Sequence, residues 1–125
     1  MRLITHNMLK CNVRGVEKGY PLKIEAVETV IIEAEFDAEM LGGLLGGKVD
    51  WAALKKAALD LDIPDLEGMD EVTPEVLADD EALKKIHHVL LEVHVMEGDL
   101  VCPESGRKFG IKEGIPNMLL HEDEV

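Results

Sequence analysis

The last third of the chain, EVHVMEGDLVCPESGRKFGIKEGIPNMLL from Glu92 to Leu120, sets short apolar alternations between turn residues, a rhythm that suits only a small antiparallel sheet. Val93 and Val95 alternate with polar residues, Glu97-Gly98-Asp99 supplies turn chemistry, and Leu100 and Cys102 resume the alternation on a returning strand. This predicts a hairpin. Cys102 to Arg107 turns into a strand over Lys108 to Ile111, Lys112-Glu113-Gly114 turns again, and Ile115 to Leu120 leaves as an apolar extended segment. Pro116 has no amide proton to give a ladder, which puts that segment at an edge.

The start of the chain answers this pattern. Tyr20 to Val27 alternates after a Gly19-Tyr-Pro break, and Thr29 to Ala34 continues as a second strand. Arg2 to Ile4 reads as a short strand, with Thr5 capping a helical turn through Leu9. Between the two ends the period changes. Asp37 caps a helix kept short by Gly42, Gly43, Gly46 and Gly47, and Asp50 caps another with Trp51, Leu54, Ala58 and Leu61 on one stripe. An acidic connection over residues 62–72 leads to Thr73-Pro74, an N-cap with a first-turn proline. A longer helix follows from Asp80 to Leu91, with Leu83, Ile86, His87, Leu90 and Leu91 turned inward. The fold class is therefore α+β: a small antiparallel sheet formed by both chain ends, residues 1–35 plus 88–125, with a self-contained helical insertion over 36–87. The acidic tail from His121 reads as frayed.

Charge narrows the function. The chain carries 26 acidic against 13 basic residues, a formal net charge of −13, which opposes nucleic-acid binding by the chain alone because phosphate contacts are made by Lys and Arg. The basic residues that remain, Arg14, Lys18, Lys23, Arg107, Lys108 and Lys112, fall on the terminal segments. No apolar run reaches the roughly 20 residues of a membrane helix, and the first residues lack the pattern of a secretory leader, so an intracellular protein is expected.

Catalytic constellations are not legible. His87 and His88 are adjacent on a helix and point about 100° apart, so they read as one packed and one exposed ring. No Gly-x-Gly-x-x-Gly, lysine phosphate loop or Gly-x-Ser-x-Gly occurs, and Asp79-Asp80 and Glu122-Asp123-Glu124 read as solvated charges. The turn Cys102-Pro-Glu-Ser105-Gly106 has the outline of a zinc knuckle with a serine in the second thiol position, and a hydroxyl is a poor zinc ligand. Cys11 opens a similar loop near the start, with His6 as the replacement ligand to consider.

The opening MRLITHNMLKCNVRG, the HHVLLEV run and the stretch CPESGRKFGIKEGIPNMLL resemble the small activator subunit shared by tRNA, ribosomal RNA and translation release factor methyltransferases. The resemblance implies a zinc-ribbon-like domain built from both termini around the helical insertion. Cys11 and Cys102 match a four-cysteine zinc pattern that Val16 and Ser105 leave, so it implies a degenerate metal site holding no zinc. It further implies a non-catalytic subunit that forms heterodimers with methyltransferase catalytic chains, covers their apolar surface and stabilises them. S-adenosylmethionine is then bound by the partner, RNA is reached only through the partner, and the setting is cytoplasmic and nuclear. Docking by strand addition would use Phe109, Ile111, Ile115, Pro116, Asn117, Met118 and Leu119, with Met8 and Leu9. Two other readings stand beside it. One is a ribbon that binds nucleic acid through Arg14, Arg107 and Lys108; the other is a thiol oxidoreductase using Cys11 and Cys102.

Overall fold

A computed structural model describes residues 1–124. Four antiparallel strands, β1 (Lys23–Ile31), β2 (Val93–Val101), β3 (Lys108–Lys112) and β4 (Ile115–Pro116), form one sheet in the order β1-β2-β3-β4. Strands from both ends of the chain thus meet, as the alternation predicts, and the helices α2 (Ala38–Gly47), α3 (Trp51–Asp60), α4 (Pro74–Leu77) and α5 (Asp80–His87) lie between β1 and β2 in sequence.

The expected hairpin within residues 93–102 does not form, because β2 runs unbroken through Gly98. Gly98 instead faces β1 where that strand carries an extra residue: Ala26 pairs with Gly98 and Glu28 with Glu97, leaving Val27 as a bulge. A Cβ at Gly98 would stand 2.3 Å from the Glu25 carbonyl oxygen, and its φ is +153°, so only glycine allows this approach. The bulge also merges the two strands expected over residues 20–34 into one. The real hairpins are β2–β3, closed by the Cys102 to Arg107 turn, and β3–β4, closed by Glu113-Gly114, both at positive φ as a two-residue turn of mirrored type requires.

The opening residues are helical where a strand is expected. Arg2 makes a single bridge to His94, and α1 (Leu3–Asn7) starts directly after it, without a Thr5 cap, because Leu3, His6 and Asn7 share the face that is buried. Further on, the local signals hold. Asp37 accepts from the Met40 amide, Asp50 from that of Ala53 and Thr73 from that of Val76. The glycines do not shorten α2, which extends through Gly47 with Leu41 fully buried. The chain from α5 continues through a π-helical turn, His88–Glu92, directly into β2. Leu83, Ile86, His87, Leu90 and Leu91 are all buried. The tail is not frayed: Glu124 is gripped by Arg107 at 2.7 Å, and its carbonyl accepts from the Arg14 amide at 2.6 Å.

One apolar cluster crosses the whole chain. Leu3, Leu22, Ile24, Leu100 and Phe109 from the terminal segments pack in the same core as Leu41, Leu54, Ala57, Leu83 and Ile86 from the helices. Polar clamps reinforce it. The Asn7 side chain and the Asp50 backbone exchange two hydrogen bonds of 2.9 Å, and Asp60 accepts from the Ile24 amide at 3.0 Å. No helix among the described residues is long and apolar enough to cross a membrane.

Candidate functional site

The β3–β4 corner gathers most of the residues expected to dock a partner and sorts them by face. Alternation on β3 turns Phe109 and Ile111 inward, where they are 1% and 3% exposed. Both side chains belong to this chain's own core, unlike the exposed docking set expected, and the strand period of two is the reason: one face of β3 meets the helices, so its apolar residues pack there. Ile115 and Leu119, in contrast, are 69% and 79% exposed, Met8 is 55% exposed and Asn117 is exposed. Leu9, Pro116 and Met118 are half-buried, with Leu9 and Met118 packed against the core.

The segment after β4 is held in shape by polar contacts. The Asn117 amide donates to the Gly110 carbonyl at 2.9 Å, and the Asn117 side chain accepts from the Leu119 amide at 3.1 Å. Arg107 stacks over Phe109 at 4.7 Å, pairs with Glu124 and reaches the Leu119 carbonyl at 3.5 Å. An open groove of about 700 Å³ lies here, lined by Gly110, Ile111, Asn117, Leu119 and Leu120. The Met1 ammonium bonds the carbonyls of Val95 and Gly114 at 2.8 and 2.6 Å, placing the start of α1 against this corner.

A second apolar edge escaped the sequence reading. Val27, Ile31 and Ile32 are 84%, 64% and 51% exposed at the outer edge of the sheet. A Val-Ile-Ile run signals a buried strand, but among the described residues no strand lies beyond β1, which leaves it an exposed apolar edge.

Cys11 and Cys102 are free thiols, both buried and within each other's hydrogen-bonding reach. Burial pushes the Cys11 thiol up. Burial acts on Cys102 in the same sense, but the Ser105 hydroxyl, the Ser105 and Glu104 amides and the Cys11 thiol together outweigh it and hold Cys102 below the ordinary value. The donor set does not fit structural zinc. It consists of two thiols and a hydroxyl, and Val16 brings only methyl groups to the fourth position. His6 donates its Nε2–H to the Leu22 carbonyl at 2.6 Å and its Nδ1 has no hydrogen-bond partner, but no group of three or more His, Cys, Asp or Glu placed to hold a metal occurs among the described residues. Nor do the thiols suit an oxidoreductase, because both lie sealed from any substrate.

The residues offered for direct nucleic-acid contact are largely committed elsewhere. Arg107 is neutralised by Glu124, and Lys108 lies 3.4 Å from Glu25. His87 donates to the Glu35 carbonyl at 3.2 Å and meets the Phe36 ring edge-on, which makes it structural, while His88 bonds Glu92 at 2.8 Å.

A four-stranded sheet drawn from both termini, a degenerate two-thiol turn and helices inserted between the strands define a zinc-ribbon-like α+β chain. Residues 2–114 match the family model described as Trm112p-like protein, and the chain belongs to that family. It is 48% identical to the multifunctional methyltransferase subunit TRM112 homolog A of Arabidopsis thaliana over 125 residues, covering all of both chains. Against the TRM112-like protein of Mus musculus it is 48% identical, covering 100% of this chain and 98% of that one. With TRM112 of Saccharomyces cerevisiae identity is 30%, covering 96% of each. Its fold resembles a chain in the E. cuniculi Mtq2-Trm112 complex, which methylates the eRF1 translation termination factor, with a TM-score of 0.58 at 18% identity over 95% of both chains.

Proposed function

We propose that this chain is a non-catalytic activator and stabilising subunit of S-adenosylmethionine-dependent methyltransferases acting on tRNA, ribosomal RNA and a translation release factor, in cytoplasm and nucleus. The observation that carries the reading is full-length identity of 48% to proteins named multifunctional methyltransferase subunits. The site agrees with it. Ile115 and Leu119 stand exposed on a segment fixed by Arg107 and Asn117, so they dock without first being ordered, and covering each contributes roughly 1.5 to 3 kcal/mol before association costs. The partner holds the methyl donor and the reacting group of the substrate. This chain covers apolar surface that would otherwise drive the catalytic chain to aggregate. The docking face comprises Ile115, Pro116, Asn117, Met118 and Leu119, with Met8 and Leu9 beside it.

Co-expression tests this. A methyltransferase catalytic chain made with the subunit is expected to be soluble, to co-purify with it at one to one and to bind S-adenosylmethionine; made alone, it is expected to lose solubility or donor binding. Equal behaviour with and without the subunit contradicts the proposal.

A further inference from the structure

Three lysines converge on an open groove of about 510 Å³ on another part of the molecule: Lys18 from the loop before β1, Lys23 at the first position of β1 and Lys56 on α3. None has a carboxylate within ion-pair distance among the described residues, whereas Lys55, Arg107 and Lys108 each do. Two carboxylates also stand in the groove wall, each keeping its charge while fixed in place by backbone amides. Asp60 accepts from Ile24 at 3.0 Å, and Glu104 accepts from Glu17 and Lys18 at 3.1 and 3.3 Å. On a chain of net charge −13, a concavity where three ammonium groups outnumber two carboxylates, and none of the three is ion-paired, is a local positive excess that favours an anion, and the Tyr20 and Leu59 side chains give it an apolar wall. Lysines suit phosphate as point charges without reading sequence.

We propose that this groove takes a phosphodiester of the RNA substrate once a catalytic chain is docked. The proposal rests on the reading of this chain as a methyltransferase subunit. The overall negative charge repels RNA at long range, so the contact forms only after the partner has raised the local RNA concentration.

The test uses the purified heterodimer with a tRNA-modifying catalytic chain. Its affinity for tRNA is measured from about 50 to 200 mM salt, a range over which phosphate contacts are strongly screened. Lys18→Ala, Lys23→Ala and Lys56→Ala together are expected to leave the heterodimer intact, weaken tRNA binding about tenfold and reduce the slope of log affinity against log salt by about one, as loss of one neutralised phosphate requires. Arginine at the three positions is expected to restore both. An unchanged affinity and slope overturns the proposal. Loss of the heterodimer in the alanine variant overturns it too, because the lysines would then be docking the catalytic chain. If inorganic phosphate or a mononucleotide saturates the groove of the free subunit while the variant heterodimer keeps its tRNA affinity, the groove is a small-anion site and the RNA assignment falls. Failure of the unsubstituted heterodimer to form is a separate result that strikes the subunit reading itself.

Discussion

The Arg107 guanidinium holds the Glu124 carboxylate with two nitrogens, Nε at 2.7 Å and Nη2 at 3.1 Å, and so ties the end of the described chain back to the β2–β3 turn. The same guanidinium reaches the Lys108 and Leu119 carbonyls, which places one cation at the centre of the segment that presents Leu119. Glu124 is held at a pKa of about 2, first by the Arg107 hydrogen bonds and then by the His121 amide.

Glu124→Gln is therefore expected to leave the fold intact and to speed amide exchange at Leu119 and His121, with weaker partner binding, since the docking segment must then be ordered on association. In the unsubstituted chain this tether is complete above the ordinary carboxylate value of 4.5 and is lost only as pH falls through about 2. Exchange measured from pH 7 to 3 should show it retained throughout; release near pH 4.5 would contradict the pairing.

Gly98→Ala is expected to destabilise the chain by about 1 to 3 kcal/mol, because the added methyl meets the Glu25 carbonyl oxygen at 2.3 Å where β1 and β2 run closest. Urea unfolding decides it. A neutral effect would mean that the bulge at Val27 is not built around this glycine.

This bulge also marks where the sequence stops being readable. Glu97-Gly98-Asp99 carries local turn chemistry, and what overrides it is pairing with Glu25 and Ala26, about seventy residues away, which no local pattern reports. Phe109 and Ile111 fail differently. Their alternation identifies a strand with one apolar face but not whether that face meets this chain's helices or another chain. Conversely, Asp37, Asp50 and Thr73 were legible because a cap is a three-residue event, and the inward stripe of α5 because its period is local. The thiol turn was legible as chemistry, through Ser105 and Val16, while the proximity of Cys11 and Cys102 required the fold.

Leu54→Ala tests whether the helices and the sheet are one cooperative body. Leu54 is fully buried in the cluster that also contains Ile24 and Leu100, so the substitution is expected to cost about 2 to 5 kcal/mol and to lower a single unfolding transition seen equally by strand and helix signals. Two separated transitions would show that residues 36–87 fold independently.

His6 is buried, and desolvation holds its pKa below the ordinary 6.5 despite the Leu22 hydrogen bond and the Asp60 charge. The unfolded chain then binds the proton more readily, so stability is full above about pH 6.5 and falls as pH drops below it, until the lowered folded value is passed. His94, also lowered, first by desolvation and then by the Met1 ammonium and Arg2, adds to the same loss. His6→Gln, which keeps a donor for the Leu22 carbonyl, is expected to shrink the difference in unfolding free energy between pH 7.5 and 5.5. An undiminished difference would assign the effect to His94 alone.

The central claim, that this chain works by presenting β4 and the segment after it to a methyltransferase, is tested most directly by Ile115→Asp with Leu119→Asp in co-expression with a catalytic chain. Both side chains are exposed, so the variant is expected to keep the circular dichroism and melting temperature of the parent, yet to lose co-purification by at least about tenfold, the equivalent of about 1.4 kcal/mol. Co-purification at the parental level, with Ile31→Asp abolishing it instead, would contradict the account and move the docking face to the β1 edge.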